Sequence, residues 1–159
     1  MKIKQLPFKK IATGIILVLL VIQVIRIDKT NPPLKEEKDL ISGLNPPPGI
    51  THILKTSCYD CHSNETAYPW YTNVAPVSWW IKNHINNGRE ELNFSEWINY
   101  TSRKKDHKLE ECVEMVEGNE MPLYSYTLLH RNAILNGDQR HALAVWFESQ
   151  RTYESEKDR

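Results

Sequence analysis

Apolar side chains recur every three or four residues along much of the chain after residue 50, and this spacing predicts amphipathic α-helices. Two apolar stripes show the period most clearly: Val77, Trp80, Ile81, His84 and Ile85, and then Leu109, Cys112, Val113 and Val116. Alternation with a period of two, which is typical of half-buried strands, is rare. The pattern therefore predicts an all-α fold.

Residues with helix-capping preferences stand at the ends of these helical patterns. Gly88 and Gly118 follow the two stripes and are predicted to end their helices. Asn136, with Gln139 three residues later, predicts a capping box at the start of the last helix. We expect about four or five helices of modest length, with an irregular connection over 118–135.

A nearly continuous apolar run from Ile11 to Ile25 follows Lys9 and Lys10. A basic front before an apolar core is typical of a secretory signal and of a signal anchor. No small-residue cleavage site follows the run, which favours an anchor that stays attached over a signal that is removed. The pattern predicts an N-terminal transmembrane helix within residues 1–27, with the rest of the chain outside the cytoplasm.

The remaining chain divides by composition. Residues 28–49 contain Pro32-Pro33 and Pro46-Pro47-Pro48, which sustain neither helix nor strand and predict a semi-stiff tether. Residues 50–153 hold the apolar stripes and are predicted to be the folded domain, and residues 154–159 are a charged tail. A domain of about 100 residues with short helices buries only a small core, so we expect a bound group to complete it.

The charges are distributed unevenly although they cancel. The chain has 20 Lys and Arg against 20 Asp and Glu. The first 30 residues hold six basic side chains and one acidic one, so their net charge is +5 and that of the remainder is −5. An acidic body argues against a nucleic-acid partner, because such partners require a basic face.

The stretch Cys58-Tyr59-Asp60-Cys61-His62 matches C-x-x-C-H, the motif for covalent haem attachment. Two thiols add to the two haem vinyl groups, and two intervening residues on a short helix match the spacing of those groups. The following histidine lies beneath the ring and supplies the proximal nitrogen to the iron. The motif predicts one covalent haem c, bound by Cys58 and Cys61, with His62 as the proximal ligand.

Other uses of two close cysteines are less favoured by the sequence. A zinc site needs two further ligands with similar spacing, but only one further cysteine, Cys112, is present and no second C-x-x-C occurs. A thioredoxin-type dithiol needs a βαβ context, whereas this segment is predicted to be helical. Cys112 lies in an apolar stripe and is predicted to be a small core residue.

Met121 is the predicted distal ligand of the iron. It stands 59 residues after His62, in the irregular segment after Gly118, and Pro122 stiffens the backbone beside it. His84 is the alternative, because it lies on an apolar helix face, and His130 is a weaker one. A distal position without a protein ligand stays open as well.

Several stretches carry a wider resemblance: residues 57–71, 75–80, 118–123 and 126–130, and the last helix with Trp146. Over about residues 30–150 the chain resembles the haem-binding-domain family of small bacterial c-type cytochromes. The resemblance implies a small cytochrome-c-like helical domain and a membrane-anchored protein with one haem. It implies no catalytic activity, since the family is described mainly by haem binding.

Two functions are compatible with these patterns. The first is electron transfer at the bacterial cytoplasmic membrane, with the haem domain facing the periplasm or exterior, a membrane contact through the N-terminal helix, and redox partner proteins. The alternative is a haem-based ligand sensor or peroxidase-like enzyme with an open distal site, in which His84 acts as the distal base. We expect an electron carrier rather than a catalyst, and no catalytic residue is assigned.

Overall fold

The computed structural model describes residues 8–152, so the predicted charged tail at 154–159 and the first seven residues of the predicted anchor lie outside the described residues. Within the described part the α-helices are α1 Phe8–Ile22, α2 Leu40–Leu44, α3 Pro48–Ser57, α4 Tyr59–His62, α5 Val77–Glu91, α6 Ser102–Glu117, α7 Tyr124–Thr127 and α8 Gly137–Ser149. Four 3₁₀ helices connect them: Glu36–Lys38, Trp70–Asn73, Phe94–Asn99 and Arg131–Ala133. Residues 8–152 contain no strand, which confirms the all-α prediction.

The prediction of an N-terminal transmembrane helix is wrong. Helix α1 has 15 residues, and no helix among residues 8–152 is long and apolar enough to cross a membrane. At about 1.5 Å of rise per residue, 15 residues extend about 22 Å, whereas the hydrocarbon core of a bilayer is about 30 Å thick. The apolar run in the sequence is real, but the regular helix that it forms ends at Ile22.

The chain forms two compact units. The N-terminal unit contains the residues up to Thr30 together with Tyr68–His84, and the main unit contains Asn31–Ala67 and the residues from Ile85 onward. In the N-terminal unit, the side-chain amide of Gln23 donates to the carbonyl of Ala75 at 2.9 Å and accepts from the Ala75 N–H at 3.0 Å. The indole of Trp79 donates to the Ile25 carbonyl at 3.0 Å. These bonds fix the residues after α1 against the 68–84 segment.

The main unit is built around the packing of α6 against α8, with α3 also in contact with α8. Its core buries large apolar side chains from most of its elements, among them Leu40, Leu54, Tyr59, Trp97, Leu109, Leu143 and Phe147. Burying a side chain of this size contributes about 1.5–3 kcal/mol relative to leaving it exposed. The core therefore rests on elements that are far apart in sequence.

Part of the segment predicted as a tether is folded. Residues 36–44 form a 3₁₀ helix and α2, and Leu40 is completely buried in the core. The Asp39 side chain caps α2 by accepting a hydrogen bond from the Ile41 N–H at 2.9 Å. The prolines of this segment lie before and after α2 and not within it. The proline-rich composition therefore predicted a tether, although Leu40 packs in the core.

The predicted helix ends have mixed outcomes. Gly118 is the C-cap residue of α6, and Asn136 and Gln139 form the predicted capping box at the start of α8. The prediction that Gly88 ends its helix is wrong, because α5 continues to Glu91. Gly88 has a different reason to be glycine, which concerns the contact between α5 and α4.

Candidate functional site

The C-x-x-C-H motif forms the short helix α4, with Cys58 as its N-cap residue. The carbonyl of Cys58 accepts hydrogen bonds from the N–H groups of Cys61 at 3.2 Å and His62 at 2.9 Å. The motif is therefore one closed helical turn that follows directly on α3. Both cysteines are free thiols and are half-buried.

The ring of His62 is oriented by the main chain of Leu92. Its Nδ1 lies 3.0 Å from the Leu92 carbonyl oxygen. Because a carbonyl only accepts, Nδ1 carries the proton and Nε2 keeps its lone pair. Burial lowers the pKa of His62, against the effect of its bonds to backbone carbonyls, so the ring is neutral at pH 7. A neutral imidazole with one nitrogen held by a carbonyl is the usual form of a metal-ligating histidine.

Gly88 lets α5 approach the motif closely. A Cβ atom at residue 88 would stand 2.8 Å from the carbonyl oxygen of Cys61 and 3.3 Å from its Cβ. Both contacts are shorter than ordinary van der Waals separations, and the carbonyl belongs to a backbone that is fixed by α4. Only glycine fits here without displacing one helix from the other.

The two residues between the cysteines are both tied to distant parts of the main unit. The hydroxyl of Tyr59 donates to Asp39 at 2.7 Å, and both residues are buried. Burial, and then the bond to Asp39, raise the pKa of Tyr59 well above its usual value. The carboxylate of Asp60 accepts from the Tyr126 hydroxyl at 2.7 Å and from the Ala67 N–H at 3.0 Å. Each intervening residue thus forms one half of a Tyr–Asp pair.

Arg89 fixes the segment that follows the motif. Its guanidinium donates to the Ser63 carbonyl at 2.7 Å, to the Thr66 hydroxyl at 2.8 Å and to the Asn31 side chain at 2.8 Å. Thr66 in turn donates to the Asp60 carbonyl at 2.6 Å. In the sequence, only the position of Arg89 beside Gly88 offers a signal for this role.

The three thiols are in their protonated form at neutral pH. Burial raises the pKa of Cys58 to about 12 and that of Cys61 to about 11. Burial also raises the pKa of Cys112, and Cys58 adds to this effect. Cys58 and Cys112 both pack against the core of the main unit. A thiolate nucleophile at neutral pH is therefore not a property of this site.

Met121 lies on a turn whose main chain is held from two sides. Its N–H donates to the Met115 carbonyl of α6 at 3.1 Å. Its carbonyl accepts from Arg140 of α8 at 2.9 Å, and the same Arg140 nitrogen donates to the Val116 carbonyl at 2.5 Å. The side chain of Met121 is half-buried. The contacts of Met121 are thus with α6 and α8, whereas those of His62 are with the Leu92 end of α5.

The histidines considered as alternatives occupy different places. His84 belongs to the N-terminal unit, where its Nδ1 lies 2.9 Å from the Trp80 carbonyl and its ring is 4.2 Å from the Trp80 ring. His130 belongs to the main unit and stacks on Tyr126, with ring centroids 4.1 Å apart. Through Tyr126, His130 is close to Asp60 in the motif. Neither arrangement assigns the distal ligand.

A family model described as a haem-binding domain matches residues 17–149. The match covers most of the chain and includes the motif, Met121 and both alternative histidines. The chain belongs to the haem-binding domain family. Comparison with curated proteins and with solved structures gives no match.

The residues of this haem-binding domain fit the group that its family name specifies. Nε2 of His62 keeps its lone pair while Nδ1 contacts the Leu92 carbonyl, and the two free thiols of the motif are separated by two residues within the same short helical segment. In contrast, residues 8–152 contain no cluster of three or more His, Cys, Asp or Glu side chains that could hold a metal ion. The donor set therefore fits a haem, whose four pyrrole nitrogens bring most of the iron ligands, better than a zinc ion.

Proposed function

We propose that this haem-binding domain is a monohaem c-type cytochrome that carries electrons, with the haem bound covalently to Cys58 and Cys61. The observation that carries the proposal is the His62 ring, whose Nδ1 is held by the Leu92 carbonyl inside an intact motif. In attachment, each S–H of Cys58 and Cys61 would add across one vinyl group, with sulfur bonded to one carbon and hydrogen to the other. When bound, the haem supplies an iron that gains and loses one electron.

The protein's part in this function is to hold the proximal ligand in one orientation. Leu92 fixes the tautomer of His62, and Gly88 sets the distance between α5 and the motif. The pairs Tyr59–Asp39 and Tyr126–Asp60 hold the helical turn that carries both cysteines. A proximal ligand held in one orientation is what electron exchange with little reorganisation requires, which supports a carrier.

We propose Met121 as the distal ligand. Its turn is fixed by Arg140 and by the Met115 carbonyl, which defines the path of the main chain at residue 121. A thioether ligand favours ferrous haem and raises the reduction potential relative to a second histidine. His62 and Met121 would then both hold the iron, which would favour electron transfer and leave no position for a small ligand.

Covalent attachment is tested with cysteine variants. Acid-acetone extraction of the denatured protein should leave the haem on the chain, whereas the double variant Cys58→Ala/Cys61→Ala should release it. Cys112→Ala is the matched control, because it removes a thiol outside the motif, and it should keep the haem. Release of the haem from the unmodified chain would disprove covalent attachment while leaving haem binding intact.

Binding of carbon monoxide distinguishes an open distal site from one that is filled by a protein ligand. Reduced protein with two protein ligands should show an unchanged absorption spectrum when carbon monoxide is added. Rapid binding, together with turnover of peroxide, would favour the sensor or peroxidase-like function instead.

We also propose that the chain associates with a membrane through α1, and that the haem domain lies outside the cytoplasm. No side chain of α1 is buried, and its apolar residues from Ile15 to Val21 are between 44% and 69% exposed. A row of exposed apolar side chains of this length marks an interaction site. Lys9 and Lys10 lie beside these residues, and such cations are attracted to an anionic membrane surface. Fractionation of expressing cells, followed by protease treatment from outside, tests both statements.

Redox partner proteins are part of the proposal. The residues after Thr30 carry a net charge of −5, which favours partners with a basic docking face. Electron transfer to such a partner should slow as ionic strength rises, whereas a rate independent of salt would contradict electrostatic docking.

A further inference from the structure

A cationic cavity of about 490 Å³ lies within the N-terminal unit, just beyond the end of α1. Its lining residues are Arg26, Ile27, Lys29, Thr72, Asn73 and Ser78. Two cationic residues, two hydroxyl residues and one amide residue therefore line one space, and none of these residues is acidic. The Thr72 hydroxyl donates to the Pro69 carbonyl at 2.5 Å, so the donors left for a ligand are mainly those of Arg26, Lys29 and Ser78. The haem site of the main unit uses none of these residues.

The two cations are held in place by Asn73. Arg26 donates through Nη1 to the Asn73 carbonyl at 2.8 Å, and Lys29 donates to its side-chain oxygen at 2.5 Å. Each cation keeps further N–H donors after these bonds are made. Asp28 stands between them in sequence, but its carboxylate accepts from the Thr30 N–H at 2.8 Å and does not line the cavity. The space is therefore positively charged and bordered by oriented donors.

Ser78 adds a hydroxyl group to this lining. The residue is only 3% exposed, and a serine hydroxyl can donate one hydrogen bond to a ligand oxygen. Hydroxyl, guanidinium and ammonium donors around one space form a typical setting for a phosphate group.

We propose that this cavity binds the phosphate of a membrane phospholipid headgroup. The inference rests on the membrane association proposed for α1, whose exposed apolar side chains belong to the same unit. Trp70 and Trp80 of this unit are 78% and 48% exposed, and exposed tryptophans are typical of the membrane–water interface. An apolar helix, interfacial tryptophans and a cationic cavity together match the chemistry of a lipid: acyl chains, interface and phosphate.

Native mass spectrometry of the full chain in mild detergent tests this site with three probes. These are phosphatidylglycerol, diacylglycerol with the same acyl chains but no phosphate, and glycerol phosphate without acyl chains. We expect one phosphatidylglycerol per chain, at least tenfold tighter than diacylglycerol. Glycerol phosphate should bind more weakly and at the same site.

Three variants locate the binding. Arg26→Gln/Lys29→Gln should weaken phosphatidylglycerol about tenfold or more, since each cation near a lipid phosphate contributes severalfold. Ser78→Ala should weaken it severalfold at unchanged charge. The control Lys35→Gln/Arg103→Gln removes the same charge at exposed residues outside the cavity and should leave binding unchanged.

Each other outcome overturns the inference. Equal affinity for phosphatidylglycerol and diacylglycerol would mean that the phosphate is not recognised. Equal losses of phosphatidylglycerol affinity in the cavity variant and in the control variant would mean that binding depends on net charge alone. Tight binding of glycerol phosphate without binding of phosphatidylglycerol would assign a soluble phosphate compound instead. Flotation with vesicles separates the two proposals: a chain that floats but lacks selective lipid binding keeps the membrane association and loses the cavity site.

Discussion

The two sides of the proposed haem site are held by different kinds of atoms. Around the motif, the contacts are made by side chains of the motif itself or of its partners. Tyr59 donates a hydrogen bond to Asp39, Tyr126 donates one to Asp60, and the His62 ring contacts the Leu92 carbonyl. Around Met121, the contacts fall on main-chain atoms. The motif is thus specified by one buried pair and two partly buried ones, whereas the distal turn is specified by its backbone path.

This difference matches the chemistry expected on each side. In the proposed site, the proximal histidine points at one atom of a group that is bonded to its own helix, so small rotations of α4 would disturb three attachments together. The thioether of Met121, the proposed distal ligand, would bind more weakly, and its position follows the turn. We therefore expect substitutions near the motif to change mainly the folding stability. Substitutions near Met121 should change mainly the spectrum and the reduction potential of the haem iron.

The largest expected effect is that of Met121→Ala, because it removes the proposed distal ligand of the iron. The variant should lose the weak ferric absorption band of a methionine–iron bond, bind carbon monoxide when reduced, and have a lower reduction potential. Met115→Ala, on α6 and 38% exposed, is the matched control and should change none of these. An unchanged spectrum in Met121→Ala, with carbon monoxide binding in His84→Ala, would assign His84 instead.

Tyr59→Phe should follow, with a loss of about 1–3 kcal/mol in the free energy of unfolding, because it deprives buried Asp39 of a hydrogen-bond donor. Urea unfolding measures the loss. Tyr124→Phe makes the same chemical change at a side chain that is 78% exposed and should cost less than about 0.5 kcal/mol.

The variants Tyr59→Phe and Tyr124→Phe also test how the folding stability depends on pH. The folded-state pKa of Tyr59 is raised by burial and by Asp39. Its contribution to stability is therefore complete below about pH 10, the usual tyrosine value, and is lost as pH rises beyond it. The unmodified chain and Tyr124→Phe should both lose stability above about pH 10 more steeply than Tyr59→Phe. Parallel curves for all three would refute this assignment.

Gly88→Ala should destabilise the fold by about 1–2 kcal/mol, since overpacking against the Cys61 carbonyl outweighs the higher helix propensity of alanine. Gly49→Ala, in α3, is the control because a Cβ there meets no atom within 4 Å. Thermal unfolding of both variants measures the difference. If both substitutions stabilise the protein, the close contact between α5 and α4 is not required.

The smallest expected effect is that of Arg140→Gln, about 1 kcal/mol in stability, because α8 keeps its apolar contacts and water can reach the freed carbonyls. The methionine–iron band should weaken without disappearing, and Arg140→Lys should restore it in part. Arg103→Gln removes an exposed arginine and should change neither the stability nor the methionine–iron band. A stability loss with an unaltered band would make Arg140 a structural residue alone.

Local patterns predicted the features that depend on neighbouring residues. The all-α class, the Gly118 helix end and the capping box of Asn136 follow from spacing over a few positions. The haem-binding family was likewise recognisable from short motifs. These features are visible because one helical turn is enough to define them.

Contacts between distant residues were not predicted. Tyr59 and Asp39 are 20 residues apart, and Tyr126 and Asp60 are 66 apart, so no local period connects them. Gly88 was interpreted as a helix end because a glycine needed for close approach looks the same in sequence. The apolar run at the N-terminus suggested a membrane-spanning helix, but the length of α1 depends on where its regular hydrogen bonding stops.

The two hydrogen bonds to the main chain of residue 121 have an evolutionary consequence. Arg140 and the Met115 carbonyl bond the carbonyl and N–H of this residue and make no demand on its side chain. With Met121 as the proposed distal ligand, a mutation at this position would change the group offered to the iron while both bonds that shape the turn persist. Selection could then exchange that ligand, and with it the redox range, in a single step that leaves the scaffold intact.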